Sequence, residues 1–145
     1  MVKKIGVGIA LVLIVAQFFQ PTRTVEPTKA EFDFLAREKP PVATANLIKT
    51  ACYDCHSNET RYPWYANISP VSWWLNNHIV EGRKELNFSL WATYSAEKAD
   101  HKLEECEEKI REKSMPLQSY TWTHSEARLS EDQRRELANY FLSLR

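Results

Sequence analysis

Two cysteines separated by two residues and followed at once by a histidine, Cys52–His56 in "ACYDCHS", are the side chains best placed for chemistry. Such a run has three chemical uses. As a redox dithiol it would sit where a strand runs into a helix of a βαβ unit, and no strand-like alternation precedes Cys52. As half of a zinc site it would need two more ligands. The candidates are His101 and Cys106, five residues apart on one helix and therefore turned about 140° from each other; the chain has no second CxxC. The third use needs the histidine. Both thiols form thioether links to the vinyl groups of a haem, and the imidazole of the next residue ligates the iron. Two intervening residues on a helical turn put both sulfurs along one porphyrin edge, and two of only three cysteines fall in this motif. The spacing points to one covalent haem c on Cys52 and Cys55, with His56 as the proximal iron ligand. Cys106 then reads as a small apolar residue on a buried helix face.

The sixth coordination position decides whether such a haem moves electrons or binds a small molecule. Met115 is the first candidate. Pro116 follows it just past a helix end, where proline stiffens an extended loop, and a thioether ligand raises the potential. His78 is the alternative distal ligand, because it falls on an inward helical stripe. A lone histidine there is more often a core residue, in this setting bonded to a haem propionate. His124, beyond the Met115 loop, is a third candidate, whereas His101 falls off the apolar stripe of its helix and reads as solvated.

The elements that must position these groups are helices. "SPVSWWLNNHIVEG" has Ser69 as N-cap, Pro70 at the first helical position and Gly82 as terminator. Its apolar stripe is Val71, Trp74, Leu75, His78 and Ile79. Ser95 caps a charged helix running to about Lys113, with Ala99, Leu103, Cys106 and Ile110 along one face. Ser130-Glu131-Asp132-Gln133 is a capping box that opens a last helix burying Leu137, Tyr140, Phe141 and Leu144. A further helix runs from about Thr44 into the motif, turning Leu47, Ile48 and Ala51 inward. The chain has three glycines, of which Gly82 alone lies beyond residue 40. Tight hairpins depend on Gly or Asn-Gly pairs, so a β-sandwich is excluded and the body is all-α. All five tryptophans lie between Trp64 and Trp122. Trp64, Trp73, Trp74, Trp91 and Trp122 would form an aromatic shell that keeps water from the porphyrin.

Basic and acidic side chains number 19 each, and residues 41–145 carry 13 basic against 15 acidic groups. A nucleic-acid binder would normally carry a basic excess, so that class is excluded. Residues 1–20 begin with Lys3 and Lys4 and run apolar from Ile5 to Phe19, 15 residues broken only by Gln17. This is the pattern of an export signal. The run is shorter than the roughly 20 residues that comfortably span a bilayer, but no small-x-small cleavage site follows. It reads as an N-terminal membrane anchor with cytoplasmic lysines, with a cleaved signal peptide as the alternative. Either places the body on the periplasmic side of the inner membrane, anchored or free. Residues 21–40 hold three of the seven prolines and read as a tether with one helical turn near Phe32–Leu35; residues 41–145 are the haem-binding domain.

The order of CxxCH (Cys52–His56), "YPWY" (Tyr62–Tyr65), "ISPVSWW" (Ile68–Trp74), H-x3-GR (His78, Gly82, Arg83), "LNFSLW" (Leu86–Trp91) and MP…Y…H (Met115, Pro116, Tyr120, His124) resembles the bacterial haem-binding domain family, a group of small exported c-type haem proteins. The resemblance covers about residues 41–145. It implies one c-type haem on Cys52 and Cys55, His56 as proximal ligand, and a small cytochrome c-like helical fold wrapped around the haem. Leu117 departs from the second proline such proteins often carry after Met-Pro, which leaves the loop freer. The resemblance names no partner.

Three functions compete. The first is electron transfer at the outer face of the inner membrane, with His56 and Met115 as axial ligands and another redox protein as partner. The second is a haem-based sensor or small-ligand binder with an open or labile sixth site. The third is an exported domain without haem, with Cys52 and Cys55 joined in a disulfide. No grouping of His, Asp and Ser suggests catalysis, so the chain does not read as an enzyme.

Overall fold

The computed structural model describes all 145 residues. Eight α-helices follow one another, with no strand: α1 (Val2–Ala16), α2 (Phe34–Glu38), α3 (Val42–Ala51), α4 (Tyr53–His56), α5 (Val71–Glu85), α6 (Ala96–Arg111), α7 (Gln118–Thr121) and α8 (Glu131–Ser143). Single 3-10 segments at Trp64–Asn67, Phe88–Thr93 and Ser125–Ala127 fill the connections. The caps follow from local chemistry. Ser95 accepts the N–H of Lys98 at 3.2 Å, and Ser130 and Gln133 bond reciprocally at the start of α8. The Ser69–Pro70 and Met115–Pro116 peptides are cis.

The core forms where α6 and α3 pack against α8. Ile48, Leu103, Ile110, Leu137 and Phe141 meet there, joined by Phe34, Phe88 and Trp91. Phe34 is fully buried, its ring 5.0 Å from those of both Phe88 and Trp91 and 5.9 Å from that of Phe141. The 21–40 segment is thus fastened to the body rather than strung beside it. Asp33 caps α2 through the N–H groups of Leu35 and Ala36, and the hydroxyl of Tyr53 donates to its other oxygen at 3.0 Å. Upstream, Thr28 bonds Ser89 and Arg23 bonds Asn67.

Three sequence expectations are corrected. No helix is long and apolar enough to cross a membrane, which overturns the N-terminal membrane segment. At 15 residues, α1 rises about 22 Å against a hydrocarbon core of roughly 30 Å. The chain leaves it at Gln17, whose amide donates to the carbonyl of Ser69 and accepts the N–H of Ser69, both at 3.0 Å. Second, α5 does not stop at Gly82 but continues to Glu85, and Ser69 is no cap; its hydroxyl pairs with Ser72 and Gln20. The inward face of α5 is carried by Ser72 and Ile79, while Val71 and Trp74 are exposed and Leu75 and His78 half-buried. Small residues face inward because α5 packs closely on α4 and the 64–67 turn. Third, the tryptophans form no buried shell. Trp91 alone is buried, and Trp64 and Trp122 are 76% and 70% exposed.

Candidate functional site

The CxxCH run folds as one helical turn continuing from α3. The N–H of Cys52 donates to Ile48 and that of His56 to Cys52, both at 2.9 Å. The two residues between the cysteines point into the protein and anchor the turn. Tyr53 is buried, stacked on Phe88 with ring planes 9° apart. Asp54 is 6% exposed. Its carboxylate accepts the backbone N–H of Arg61 at 3.0 Å, the Arg61 guanidinium at 3.1 and 3.2 Å, and the Tyr120 hydroxyl at 2.7 Å. A buried carboxylate requires such compensation. Downstream, Arg83 of α5 donates to the Ser57 carbonyl and to the Thr60 hydroxyl, each at 2.7 Å.

His56 is held in one tautomer. Its Nδ1 lies 2.9 Å from the Gly82 carbonyl and 3.1 Å from the Leu86 carbonyl, both at the end of α5. Carbonyls only accept, so Nδ1 carries the proton and Nε2 keeps its lone pair, with no hydrogen bond within the protein. Burial holds the imidazole below its ordinary pKa, against the two carbonyl bonds that favour the charged form. A neutral histidine with Nδ1 fixed by backbone carbonyls is the arrangement metal-ligating imidazoles use.

Two adjoining cavities open around this ring. One, of about 220 Å³, is lined by Cys52, His56, Cys106 and Met115 together with an apolar wall that includes Leu86, Phe88, Ile110 and Phe141. The other, of about 370 Å³, is lined by Cys55, His56, His78, Met115 and Tyr120. Both share Ala51, His56, Glu85, Met115 and Pro116. The exposed surface of both cavities is mainly apolar, although Glu85, Lys102, Glu105 and Lys109 also line the smaller and Asn77, His78, Glu81 and Glu85 the larger; such a space beside one aimed imidazole suits a flat, largely hydrophobic ligand. The donor set suits haem: one available Nε2, two thiols on one turn beside it, and a thioether in the shared wall.

The structure therefore gathers Cys52, Cys55, His56, Met115 and His78 around one site. Met115 is pinned through its backbone, its N–H donating to Lys109 at 3.1 Å and its carbonyl accepting from Arg134 at 2.7 Å. His78 lines only the larger cavity, and its Nδ1 is 2.9 Å from the Trp74 carbonyl. His124 lines neither; its ring stacks on Tyr120 at 4.2 Å. His101 is exposed and paired with Glu104 and Glu105. No group of three His, Cys, Asp or Glu side chains is arranged to hold a metal ion, so His101 and Cys106 complete no zinc site with the motif. All three cysteines are free. Burial pushes the Cys52 thiol up to about 12 and the Cys55 thiol up to about 11. Reactive redox dithiols are shifted in the opposite direction. Cys106 packs against the core on its helix face and also lines the same cavity as Cys52.

Asp54 and Arg134 are defining residues of no motif and were not singled out from the sequence. The signal available for Asp54 was an acid placed between two cysteines, where a solvated side chain would be expected.

A family model described as a haem-binding domain matches residues 11–143. No curated protein and no solved structure matches the chain. With that match across most of its length, the chain belongs to the haem-binding domain family, and haem is its cofactor.

Proposed function

We propose that this member of the haem-binding domain family is a c-type cytochrome-like electron carrier. One haem is bound through thioether links to Cys52 and Cys55, with His56 and Met115 as axial ligands. The observation that carries the reading is the His56 ring, its Nδ1 committed to Gly82 and Leu86 beside a cavity walled by Cys52 and Met115. Bound there, the haem supplies a one-electron couple, and a thioether on the sixth site raises its potential. The protein's part is to fix the imidazole, keep both thiols on one turn and present an apolar wall. Covalent attachment requires reduced thiols and haem brought together outside the cytoplasm, so we place the protein in the periplasm. Its partner is then another redox protein, and it performs no catalytic step of its own.

The test is the denatured protein, matured in cells competent for haem attachment. The parent should keep peroxidase-type haem staining on a denaturing gel and show one porphyrin's extra mass. Cys52→Ala combined with Cys55→Ala should show neither. A parent mass equal to the bare polypeptide sinks the reading. A covalent haem whose reduced form binds CO at once, with a high-spin spectrum, would instead make the site a small-ligand sensor.

A further inference from the structure

Asp54 and Tyr120 are 66 residues apart, yet the Tyr120 hydroxyl donates to the Asp54 carboxylate at 2.7 Å; it also lies 3.3 Å from the Thr50 carbonyl. Its single proton goes to the nearer, charged acceptor. Asp54 stands between the two cysteines, and Tyr120 lies on α7, the short helix that follows Met115 and Pro116. The Tyr120 ring is braced in turn by His124, stacked at 4.2 Å with planes 15° apart. The segment carrying Met115 is fastened at several points, among them Thr123 to Tyr65 and Arg128 to the Thr121 carbonyl. Lys109 and Arg134 grip the Met115 backbone and tie it to α6 and α8. Of its hydrogen bonds, only those of Tyr120 tie it to α3 and the CxxCH turn.

We propose that Tyr120, held by Asp54, is a positioning residue that draws the Met115 loop onto the CxxCH turn and keeps the thioether on the sixth coordination site. The inference rests on Met115 being the distal ligand. It would give Asp54, the second residue of the CxxCH spacer, a part in holding Met115 as well as in anchoring the turn that carries His56. Without the clamp, the loop still hangs from α6 and α8, and Thr123 still bonds Tyr65, but no hydrogen bond joins it to the motif. A charge-assisted hydrogen bond of this kind shifts a two-state equilibrium by about tenfold or more when lost.

The test uses the haem-loaded protein carrying Tyr120→Phe, which keeps the ring and its stacking and removes the hydroxyl. Haem staining and haem content per chain should match the parent. The thioether–iron absorption of the oxidised protein should weaken, the midpoint potential should fall, and the CO-bound fraction of the reduced protein should rise about tenfold or more. Asp54→Asn removes the charge that both Tyr120 and Arg61 bond, so it should shift the same readouts at least as far. A purely structural contact would lower the melting temperature and leave these readouts alone. If both variants match the parent in absorption, potential and CO uptake while Met115→Ala departs from it, the ligation stands and the clamp is overturned. If Met115→Ala also matches the parent, the ligation is wrong and the clamp falls with it. Should Tyr120→Phe fail to accumulate, Asp54→Asn decides by the same measurements.

Discussion

Gly82 lies so close to Cys55 that a Cβ built on it would meet the Cys55 carbonyl oxygen at 2.8 Å and its carbonyl carbon at 3.3 Å. The obstacle is backbone, which cannot swing aside as a side-chain tip can. The same residue supplies the carbonyl 2.9 Å from His56 Nδ1. One glycine thus lets α5 cross the motif and lets its main chain orient the imidazole. Gly82→Ala must push α5 and α4 apart and should destabilise the protein by about 1–3 kcal/mol, as overpacking does. Gly6→Ala and Gly8→Ala, with nothing within 4 Å of either added Cβ, are the controls. Thermal melts of the three variants check this, and equal melting of Gly82→Ala and Gly6→Ala would count against the close crossing.

Phe34 makes the segment before residue 40 part of the folding unit. Its fully buried ring contacts Phe88, Trp91 and Phe141. Phe34→Ala removes that ring from a closed core and should cost about 3–5 kcal/mol. Deleting residues 2–16, a helix that buries no side chain, should leave the melting of the body nearly unchanged. Denaturant unfolding of the two variants separates the cases; a Phe34→Ala protein as stable as the parent would return the segment to the status of a tether.

What could be read from the sequence was local. The Ser130–Gln133 box and the Ser95 cap are complete within four residues, and each is present as expected. Cys52, Cys55 and His56 likewise fall on one helical turn, as their spacing implies. The features that escaped are long-range or inverted in sign. Phe34 sits in a proline-broken stretch with no periodicity to mark it, and only its partners 54 to 107 residues away make it core. The orientation of α5 was only partly legible: Ile79 is buried as expected, but close packing favours Ser72 and Gly82 over bulk, and Val71 and Trp74 are exposed. The exposure of Trp73 and Trp74 follows from the same cause, since both fall on the side of α5 left open. Asp54 would be assigned to solvent by type, and only Arg61 and Tyr120 explain its burial.

Met115 and His78 both reach the site, and their surroundings separate them. Met115 lies in the wall common to both cavities, and its main chain is held by Lys109 and Arg134 while its thioether has no hydrogen-bond partner. His78 is on the wall of the larger cavity alone; its Nδ1 faces the Trp74 carbonyl and its ring centroid is 4.3 Å from that of Trp74. Placing an imidazole on the iron from there requires more of α5, a helix already seated on the motif, than placing the thioether requires of its loop. Met115→Ala should therefore lower the midpoint potential, remove the thioether–iron absorption and let the reduced protein bind CO. His78→Ala should leave all three at parental values. Absorption spectra and redox titrations of the two haem-loaded variants decide it. If His78→Ala opens the sixth site and Met115→Ala does not, the distal ligand is the histidine, and α5 must move toward the haem when it binds.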